Sequence, residues 1–467
     1  MSPTLLLINP AMRAHRSSSE PEARPGLARP GSSVGARLPN AGGMATMEPL
    51  ALAYVAALTP RHWDVILIDE VMEEIPAGLQ PDLVALTSLS TTVPRAYELA
   101  RTYREMGVPV VLGGVHATLF PEEAARHVDV VYQGEAESGW PALIQDFEAR
   151  DLKPRYQGGL VSLQGLPRPR RDLYRQDYFL QLISASRGCR HRCEFCSLWK
   201  LDGGRYRSRP PEEVWAELHE PGWPPRRRLW KQRPLLFTDE NVFVDREWSL
   251  ALFRGMARLG LNRPHAVQAS LDVADDEELL VALRKSGCMT VLIGFESVSE
   301  ESLRLMRKGV NLKIGVDHYK EKIARLHDHG LMSSGTFMFG NDGDDADIFQ
   351  RTVDFVLDSG MDVAHFGLLT PTPGTDLFDR LGREGRLLYT DFPADYRRYD
   401  LRTAVFRPRN MSPEKLEEGV LWATKAIGGW SVVLRRAWHT WQETQNPLYV
   451  AIACGWNRSG LYHRMIP

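Results

Sequence analysis

Three of the five cysteines in this 467-residue chain lie within one stretch of eight residues, at Cys189, Cys193 and Cys196. Three thiolates at C-x3-C-x2-C spacing suit a compact iron–sulfur cluster held by a single loop. Closed clusters and structural zinc sites usually take four protein ligands, and no fourth cysteine lies nearby. A cluster in this loop would therefore keep one iron open, able to bind a small molecule and pass it an electron.

A zinc site is the main alternative for these cysteines, with His191 as the fourth ligand. His191 stands between two of the cysteines, however, too close in sequence for a comfortable tetrahedral site. The other two cysteines, Cys288 and Cys454, are isolated and are expected to be buried apolar residues rather than ligands.

Length and composition indicate a soluble protein of two or three domains. A net charge of −2 with 25% charged residues shows no excess of the kind that binds nucleic acid. The apolar start Leu5–Ile8 is too short for a signal peptide, and no apolar run approaches the roughly 18 residues of a membrane-spanning helix. Few cysteines and no even disulfide framework predict a reducing, cytoplasmic location.

The first 150 residues alternate apolar strands with helices. The predicted strands are Thr4–Asn9, Trp63–Asp69, Leu83–Leu86, Pro109–Leu112 and Val128–Tyr132, with helices over Leu50–Leu58 and Pro94–Met106 and a long loop over 11–44. Continuously apolar strands separated by helices predict a parallel sheet covered on both faces. Residues 1–150 are therefore expected to form a doubly wound, flavodoxin-like (Rossmann-type) α/β domain.

Ligands of such sheets bind at the carboxyl ends of the strands. Small and hydroxyl-bearing residues at those ends would let a large ligand approach the backbone. The ends carry Asn9, then Ser88, Ser90 and Thr91, then Gly113, Gly114, His116 and Thr118, and finally Gly134 and Glu135. These residues are the predicted cofactor contacts of the first domain.

Residues 178–384 repeat a strand–helix unit six times. The predicted strands are Leu182–Ser186, Pro234–Thr238, His265–Leu271, Met289–Phe295, Ser333–Phe339 and Val363–Leu369, with helices such as Pro211–Leu218, Asp276–Ser286 and Asp347–Leu357. Six such units predict a partial (βα)6 TIM barrel, whose chemistry sits at the carboxyl ends of the strands. The cysteine loop follows the first of these strands, so it is expected at that face.

The cysteine motif and the barrel together resemble the radical S-adenosylmethionine (AdoMet) superfamily. There, three cysteines carry a [4Fe-4S] cluster whose open iron chelates AdoMet, and electron transfer yields a 5′-deoxyadenosyl radical. The resemblance implies that Cys189, Cys193 and Cys196 bind the metal cluster and that Phe195 packs near the adenine. By position at strand ends, the implied AdoMet contacts are Asp239, Glu240, Asn241, Gln268, Ser270 and Glu296, although T-D-E-N replaces the usual Gly-Gly-Glu motif. A helix N-cap is the alternative role for an acidic residue that follows a strand.

The first domain, placed directly before this motif, resembles the cobalamin-binding domain of cobalamin-dependent radical AdoMet enzymes. The stretches GGVHATLFPEE (Gly113–Glu123) and QGEAE (Gln133–Glu137) carry the resemblance. Residues 1–150 lack the D-x-H-x-x-G motif whose histidine ligates cobalt in other cobalamin enzymes, so no motif histidine is expected below cobalt. A vestigial or purely structural domain that holds no cobalamin is the alternative.

The segments outside the two predicted domains differ in character. A linker is predicted over 151–177, and residues 385–467 are predicted to form a small, mainly helical C-terminal extension with a helix starting at Ser412-Pro413. Its aromatic residues include Trp430, Trp438, Trp441, Trp456 and Tyr462. They are interpreted as a helix packed on the barrel, with an apolar substrate pocket or a peripheral membrane contact as the alternatives.

The resemblance implies a cobalamin-dependent C-methyltransferase that acts on an unactivated carbon of a small-molecule or lipid-like substrate. One AdoMet would supply a methyl group through cobalamin, and a second would be cleaved to the radical that removes a substrate hydrogen. Radical rearrangement, cyclisation or oxidation, with cobalamin in a non-methylating role or absent, is one alternative. An iron–sulfur electron carrier or sensor is another. A reducing partner such as flavodoxin or ferredoxin is expected, and nucleic acid is not.

Overall fold

The structure is a computed structural model, and it describes residues 2–12, 44, 45, 47–219 and 233–459. These residues form two parallel sheets followed by C-terminal helices, which is the fold class that the sequence predicts. The predicted loop over 11–44 lies, apart from its two ends, outside the described residues.

The N-terminal part alternates strands and helices, as predicted. Its strands are β1 (Thr4–Asn9), β2 (Met44–Ala45), β3 (Asp64–Asp69), β4 (Leu83–Thr87), β5 (Val110–Gly113), β6 (Val130–Gln133) and β7 (Arg155–Gln157), and its helices are α1 (Leu50–Leu58), α2 (Val93–Glu105), α3 (Val115–Leu119), α4 (Pro121–Ala124) and α5 (Ala136–Glu148). All but β2 form one parallel sheet in the order β3-β1-β4-β5-β6-β7. The strand order reverses between β1 and β4, which is the switch point of a doubly wound sheet.

Both faces of this sheet are covered, because successive residues of β1 point to opposite sides. Leu5 and Leu7 join the core beneath α1 and α5, whereas Leu6 and Ile8 join the core beneath α2, and all four are fully buried. The edge strand β7 lies in the segment predicted as a linker, so the sheet extends beyond residue 150.

The middle of the chain forms the open six-stranded barrel that the repeated units predict. The strands in this part of the chain, three of which lie outside the barrel, are β8 (Asp177–Tyr178), β9 (Gln181–Ile183), β10 (Ser186–Arg187), β11 (Arg207–Ser208), β12 (Leu235–Phe237), β13 (His265–Ala269), β14 (Cys288–Glu296), β15 (Met332–Phe339) and β16 (Val363–Leu368). Its helices are α6 (Leu198–Leu201), α7 (Pro211–His219), α8 (Arg246–Arg258), α9 (Glu277–Lys285), α10 (Glu300–Leu305), α11 (Gly309–Ile314), α12 (Tyr319–Asp328), α13 (Ile348–Asp358) and α14 (Asp376–Arg383). Six strands run parallel in the order β9-β12-β13-β14-β15-β16. Buried phenylalanines such as Phe237, Phe295, Phe337 and Phe366 fill the core, which fixes the strand ends that carry the predicted site.

Three helices follow the barrel: α15 (Pro413–Gly428), α16 (Trp430–Thr444) and α17 (Pro447–Ser459). The start of α15 is built as predicted, with Pro413 at its first position and the Ser412 hydroxyl oxygen accepting the Lys415 N–H at 3.2 Å. Ahead of α15, a 3-10 helix (Ala394–Arg398) places Tyr396 in the core beneath α2. The stretch that leaves the barrel therefore packs back onto the N-terminal sheet.

The aromatic residues of α16 do not pack on the barrel. Helix α16 packs on the barrel, as interpreted, through residues such as Val433 and Thr440, whereas Trp430, Trp438 and Trp441 are all exposed. Tyr462 and the side chain of Trp456 lie outside the described residues. No helix within the described ranges is both long and apolar enough to cross a bilayer.

Candidate active site

A two-stranded hairpin presents the cysteine loop at the carboxyl end of the barrel. Strands β10 and β11 pair antiparallel, and the loop between them contains all three cysteines. Gly188 opens the loop with a φ of +99°, and a Cβ at this position would lie 2.1 Å from the Arg205 carbonyl oxygen. The Gly188 N–H donates to Glu240 Oε2 at 3.0 Å. Glycine is therefore required where the chain turns from strand into loop.

The far side of the loop is fixed by Glu194. Its N–H donates to the Met306 carbonyl oxygen at 3.1 Å, and its own carbonyl oxygen accepts the Leu377 N–H at 3.0 Å. Its carboxylate accepts a hydrogen bond from Arg380 Nε at 2.7 Å. Contacts from the end of α10 and from α14 thus hold the loop in addition to the hairpin.

The three thiols interact electrostatically with one another. Cys193 is buried, and Cys189 and Cys196 are half-buried. Burial raises the pKa of all three thiols, that of Cys196 to about 11, while the backbone N–H groups of His191 and Leu198 act to lower the pKa of Cys189 and Cys196 respectively. Desolvated sulfurs that receive backbone N–H groups suit thiolates whose charge is neutralised by iron.

A single metal ion fits this loop less well than a cluster. Among the residues that the structure describes, no three His, Cys, Asp or Glu side chains are grouped as ligands of one ion. A [4Fe-4S] cluster binds each thiolate through a different iron, so its ligands stand further apart. The separation of the three thiols therefore favours the cluster over the zinc alternative, whereas the buried His191 Nε2, which has no hydrogen-bond partner in the described structure, would suit either.

A buried lysine that the sequence analysis missed lies beside the cysteines. Lys308 Nζ donates to Glu296 Oε1 at 2.7 Å, and both side chains are largely buried. Burial works to lower the pKa of Lys308, but the Glu296 carboxylate and the thiols of Cys193 and Cys189 raise it above its ordinary value. A positive charge is thus fixed close to the predicted cluster. The signal in the sequence was the Arg-Lys-Gly run after the IGFES segment, which helical periodicity alone assigns to a solvated face.

The backbone turns Glu296 toward this lysine. Glu296 has a φ of +65°, a left-handed conformation that is rare for a residue with a side chain. A Cβ at Gly294 would lie 2.2 Å from Glu296 Oε1, so the glycine leaves the space that the carboxylate occupies. Glu296 lies at the predicted place, the end of β14, with one carboxylate oxygen committed to the ion pair with Lys308.

The ends of β12 and β13 place further polar groups at the mouth of the barrel. Asn241 Nδ2 donates to Ser270 Oγ at 3.0 Å, and Ser270 Oγ donates to Asp272 Oδ1 at 2.5 Å. The Val242 N–H donates to the carbonyl oxygen of Gln268, whose side chain is half-buried. The structure therefore brings Asn241, Gln268 and Ser270 together, and their contact with AdoMet stays a prediction.

Phe195 lies where the cysteine loop meets the last strands of the barrel. It is partly buried against the cluster of apolar side chains that contains Leu369, Leu377 and Phe406. An aromatic ring held at this position is available for stacking on a planar group, which is the role that the resemblance implies.

The side chain of Asp239, a predicted AdoMet contact, is bonded to the strand that leads into the cysteine loop. This side chain is fully buried, with Oδ1 accepting the Ser186 hydroxyl at 2.5 Å and Oδ2 accepting the Ala185 N–H at 3.2 Å. Burial raises the pKa of Asp239 to about 7. Because both oxygens bond the segment that leads into the cysteine loop, Asp239 holds that segment in place rather than facing the pocket. Glu240 helps in the same way through its bond from Gly188.

The predicted contacts of the N-terminal sheet come together at its carboxyl edge. Thr118 Oγ1 donates to the Gly114 carbonyl oxygen at 2.8 Å and accepts the Gly134 N–H at 3.0 Å. The Ser88 N–H donates to the Gly113 carbonyl oxygen at 3.2 Å. At Gly114, where φ is +93°, a Cβ would lie 2.9 Å from the Ser88 backbone nitrogen. Hydrogen bonds of backbone groups thus hold these loops together, and glycines lie where the loops approach one another most closely.

Two further predicted contacts border this edge. Asn9, at the end of β1, donates from Nδ2 to Asp69 Oδ1 at 2.9 Å, and Thr91 is half-buried in the loop after β4. Because β1 and β4 flank the switch point, these residues lie where doubly wound sheets bind their ligands. Their contact with cobalamin stays a prediction.

The side chain of His116, a predicted cofactor contact, is bonded inside the protein. His116 is fully buried, and its ring nitrogens pair with Ser90 Oγ at 3.0 Å and with Glu123 Oε2 at 2.7 Å. Its ring also contacts Tyr396 edge-on, with centroids 4.8 Å apart. Both nitrogens are used inside the protein, so His116 supports the loop and offers no ligand to cobalt.

Ion pairs join the loop after β6 to the cysteine hairpin. Arg207, on β11, donates from its two terminal nitrogens to the carboxylate of Glu135 at 2.7 and 2.8 Å. Arg187, two residues before Cys189, donates to Glu137 Oε1 at 2.5 Å and lies 3.1 Å from Glu135 Oε1. We call these four charged residues the interdomain clamp. The carboxyl ends of the two sheets face each other across the clamp. The carboxylate of Glu135, a predicted cofactor contact, is engaged in these ion pairs.

Two family models match the two parts of the chain. The radical SAM superfamily model matches residues 183–356, and the B12 binding domain model matches residues 44–144. Bacteriochlorophyllide d C-12(1)-methyltransferase of Chlorobaculum tepidum is 30% identical over 405 residues, which cover 84% of this chain and 85% of the relative. Hopanoid C-2 methylase of Rhodopseudomonas palustris is 26% identical over 362 residues, which cover 74% and 66% respectively.

A solved structure shares the fold. The radical S-adenosylmethionine methyltransferase TsrM from Kitasatospora setae, determined with cobalamin and a [4Fe-4S] cluster bound, matches with a TM-score of 0.66 and 17% identity. The match covers 92% of this chain and 90% of that one, so it includes both sheets.

Proposed function

This chain belongs to the radical SAM superfamily, in the group whose members carry an N-terminal B12-binding domain, and we propose that it methylates an unactivated carbon of a small, lipid-like molecule. Its cofactors are a [4Fe-4S] cluster, S-adenosylmethionine and cobalamin. The two relatives are named for methyl transfer to a bacteriochlorophyllide and to a hopanoid, which supports both the reaction class and a largely apolar substrate.

The interdomain clamp is the observation that carries this proposal. Methylation of an unactivated carbon requires that a hydrogen atom be removed and a methyl group delivered at the same substrate carbon, so both cofactors must border one cavity. Arg187 and Arg207 flank the cysteine loop, and Glu135 and Glu137 belong to the loop after β6. Their ion pairs hold the two predicted cofactor loops against each other. An electron carrier would have no need of this arrangement.

When bound, the cofactors supply the radical and the methyl group, and the protein supplies position and the exclusion of water and oxygen. We assign Cys189, Cys193 and Cys196 as the ligands of the cluster. Among the polar groups at the barrel mouth, we assign Asn241, Gln268 and Ser270 as hydrogen-bond partners of AdoMet, and Phe195 as the ring that would stack on its adenine. Asp239 and Glu240 act indirectly, because they hold in place the strand and the glycine that precede Cys189.

We assign cobalamin to the edge where the loops after β1, β4, β5 and β6 meet. Gly114 and Gly134 let these loops approach one another closely, and the hydroxyls of Ser88 and Thr118 lie in the same loops. Because the ring of His116 is bonded internally, no histidine of this loop is proposed as the lower axial ligand.

A low-potential electron donor such as flavodoxin or ferredoxin is part of the same proposal, because AdoMet cleavage consumes an electron. A cytoplasmic location belongs to the same proposal, because a reducing compartment keeps cysteines available as thiolates that bind a cluster.

The test is an anaerobic product analysis. The purified chain is reconstituted with iron, sulfide and hydroxocobalamin, then given a reductant, AdoMet with a trideuterated methyl group, and a lipid extract. Mass spectrometry is expected to detect 5′-deoxyadenosine, S-adenosylhomocysteine and a lipid-soluble product that carries the labelled methyl group. The Cys193→Ala variant, prepared in parallel, is expected to form no 5′-deoxyadenosine.

Two outcomes would contradict the proposal in different ways. 5′-Deoxyadenosine without S-adenosylhomocysteine or labelled product would indicate radical rearrangement, cyclisation or oxidation instead of methylation. No 5′-deoxyadenosine above the level of the Cys193→Ala variant would remove the radical mechanism altogether.

A further inference from the structure

Helix α16 is apolar on two different faces. One face packs onto the base of the barrel through Val433, Ala437 and Thr440, which are buried. The other carries four large apolar side chains that are 60%, 59%, 62% and 36% exposed, namely Trp430, Leu434, Trp438 and Trp441. The intervals of four, four and three residues place these side chains in one stripe along the helix.

This stripe concentrates the exposed tryptophans of the described chain. Trp422, on α15, is the other exposed tryptophan, so all of those found in the described residues belong to two consecutive helices. Single exposed apolar residues are ordinary on protein surfaces, but several aligned on one helix mark a surface that another body covers.

The charge of this region indicates which kind of surface covers the stripe. From the start of α16 to the end of the chain, Glu443 is the one acidic residue, whereas four residues are basic: Arg435, Arg436, Arg458 and Arg464. This segment therefore carries a formal charge of +3 in a chain whose net charge is −2, and the acidic residues of α15 all lie in its first two turns, before Trp422. Lys425 and Arg435 are exposed on the same two helices as the tryptophans. A surface that pairs tryptophan with an excess of cations complements an anionic, partly apolar one.

We propose that the stripe of α16 docks this protein on the surface of an anionic lipid bilayer. Tryptophan prefers the boundary between headgroups and acyl chains, where its ring is buried and its N–H stays hydrated. Basic residues beside such a helix add attraction to anionic headgroups. The helix lies in the plane of the bilayer surface and does not cross it.

The packing of α16 determines which part of the molecule faces away from the bilayer. Thr440 Oγ1 donates to Asp362 Oδ1 at 2.6 Å, and Arg436 Nε donates to the Met361 carbonyl oxygen at 3.0 Å. Met361 and Asp362 directly precede β16, so α16 lies under the amino-terminal ends of the barrel strands. The cysteine loop lies at the opposite end. Docking through α16 therefore anchors the enzyme and leaves the cleft between the two sheets uncovered.

A flotation assay on the full-length, reconstituted protein tests this inference. Vesicles of neutral phospholipid alone and vesicles that also contain anionic phosphatidylglycerol are compared. The unmodified protein is expected to float with the anionic vesicles and to be released by salt, and the L434Q/W438Q variant is expected to bind about tenfold more weakly. Arg435→Gln is expected to weaken binding to the anionic vesicles alone. Cofactor content and 5′-deoxyadenosine formation should be unchanged, because these residues lie at the far end of the barrel.

The matched control is M106Q/L259Q, which also replaces two exposed apolar residues, directly after α2 and directly after α8. This control should float like the unmodified protein. Equal flotation of L434Q/W438Q and the unmodified protein, or no flotation of either, would overturn the proposal. Loss of self-association in L434Q/W438Q by light scattering, with no vesicle binding at any stage, would assign the stripe to a second copy of the chain and would equally overturn it.

Discussion

The two ends of the barrel bury carboxyl groups in opposite electrostatic states. At the carboxyl end, burial raises the pKa of Asp239 to about 7 and that of Asp344, in the loop after β15, to about 6. At the amino end, Asp362 is equally buried, and burial works to raise its pKa. The hydrogen bond and charge of His327 nevertheless lower the pKa of Asp362 below its ordinary value.

The difference lies in the partners that each carboxylate has. Asp362 Oδ2 lies 2.8 Å from His327 Nε2 and accepts the Ser333 N–H at 2.8 Å, while Thr440 donates to Oδ1. Asp239 is bonded by one hydroxyl and one N–H and has a second carboxylate, Glu240, as a neighbour. The base of the barrel is therefore organised for stability, whereas the mouth holds groups that reduce stability, as expected at the functional end of such a fold.

Replacing a cysteine at the mouth should have the largest functional effect. Cys193→Ala removes a cluster ligand, so we expect no cluster absorbance and no AdoMet cleavage above background, with an unchanged melting temperature of the cofactor-free protein. Cys454→Ala, a change to a half-buried cysteine on α17, is the matched control and should retain cluster and cleavage. Cleavage by Cys193→Ala at the unmodified rate would refute the assignment of the loop.

The Glu296–Lys308 pair shows a second arrangement at the mouth, because there, as in the pair of Glu194 with Arg380, a buried carboxylate does have a cation. Lys308→Met would leave Glu296 buried and unpaired, and we expect the free energy of unfolding to fall by about 4 kcal/mol in urea titrations. The double variant Glu296→Gln/Lys308→Met removes both charges and should recover most of that loss. If the single and double variants are equally unstable, the pair does not act as an ion pair.

At the base of the barrel, Asp362→Asn should reduce stability and leave chemistry intact. It removes the carboxylate from His327 and turns an amide toward donors, so we expect a loss of about 3 kcal/mol in the free energy of unfolding. The contribution of Asp362 is present at neutral pH and is lost as the pH falls below about 4, because its folded pKa lies below the ordinary 3.8. AdoMet cleavage per folded molecule should match the unmodified protein, and a selective loss of cleavage would mean that the two ends are coupled.

Asp239 should show the opposite pH dependence. With a folded pKa of about 7 and an ordinary value of 3.8, it keeps a proton in the folded state that the unfolded chain releases. Its stabilising contribution is therefore greatest below about pH 4 and declines toward pH 7, by at most about 1.4 kcal/mol per pH unit. The difference in unfolding free energy between the unmodified cofactor-free protein and Asp239→Asn, measured from pH 4.5 to 7.5, should follow this decline. A difference that does not vary with pH would show that Asp239 stays ionised.

The sequence predicted those parts of the molecule that are encoded locally. The runs that became β1, β4 and β14 consist mostly of apolar residues, and the cysteine spacing marks its own loop. The edge strand β7 was missed because Arg155–Gln157 has no apolar run to reveal it. Strand-end position alone could not tell a residue that faces the pocket from one that, like Asp239, supports the loop from behind.

Contacts between distant segments were beyond the reach of sequence patterns. The clamp joins Glu135 to Arg207 across 72 positions, and nothing local to either residue indicates the pairing. His116 was nominated because it follows Gly113-Gly114, yet its ring is used by Ser90 and Glu123, which only the folded loops bring together. The roles of such side chains depend on the tertiary structure.

Electron paramagnetic resonance can show directly whether the two cofactors border one cleft. The spin relaxation of cob(II)alamin is measured in reduced protein that also contains the reduced, paramagnetic cluster, and again in Cys193→Ala loaded with cob(II)alamin alone. We expect the spin of cob(II)alamin to relax markedly faster when the cluster is present, because two paramagnets that share a cleft interact through space. Identical relaxation in the two samples would place the cofactors in separate sites and contradict the proposal of a shared cleft.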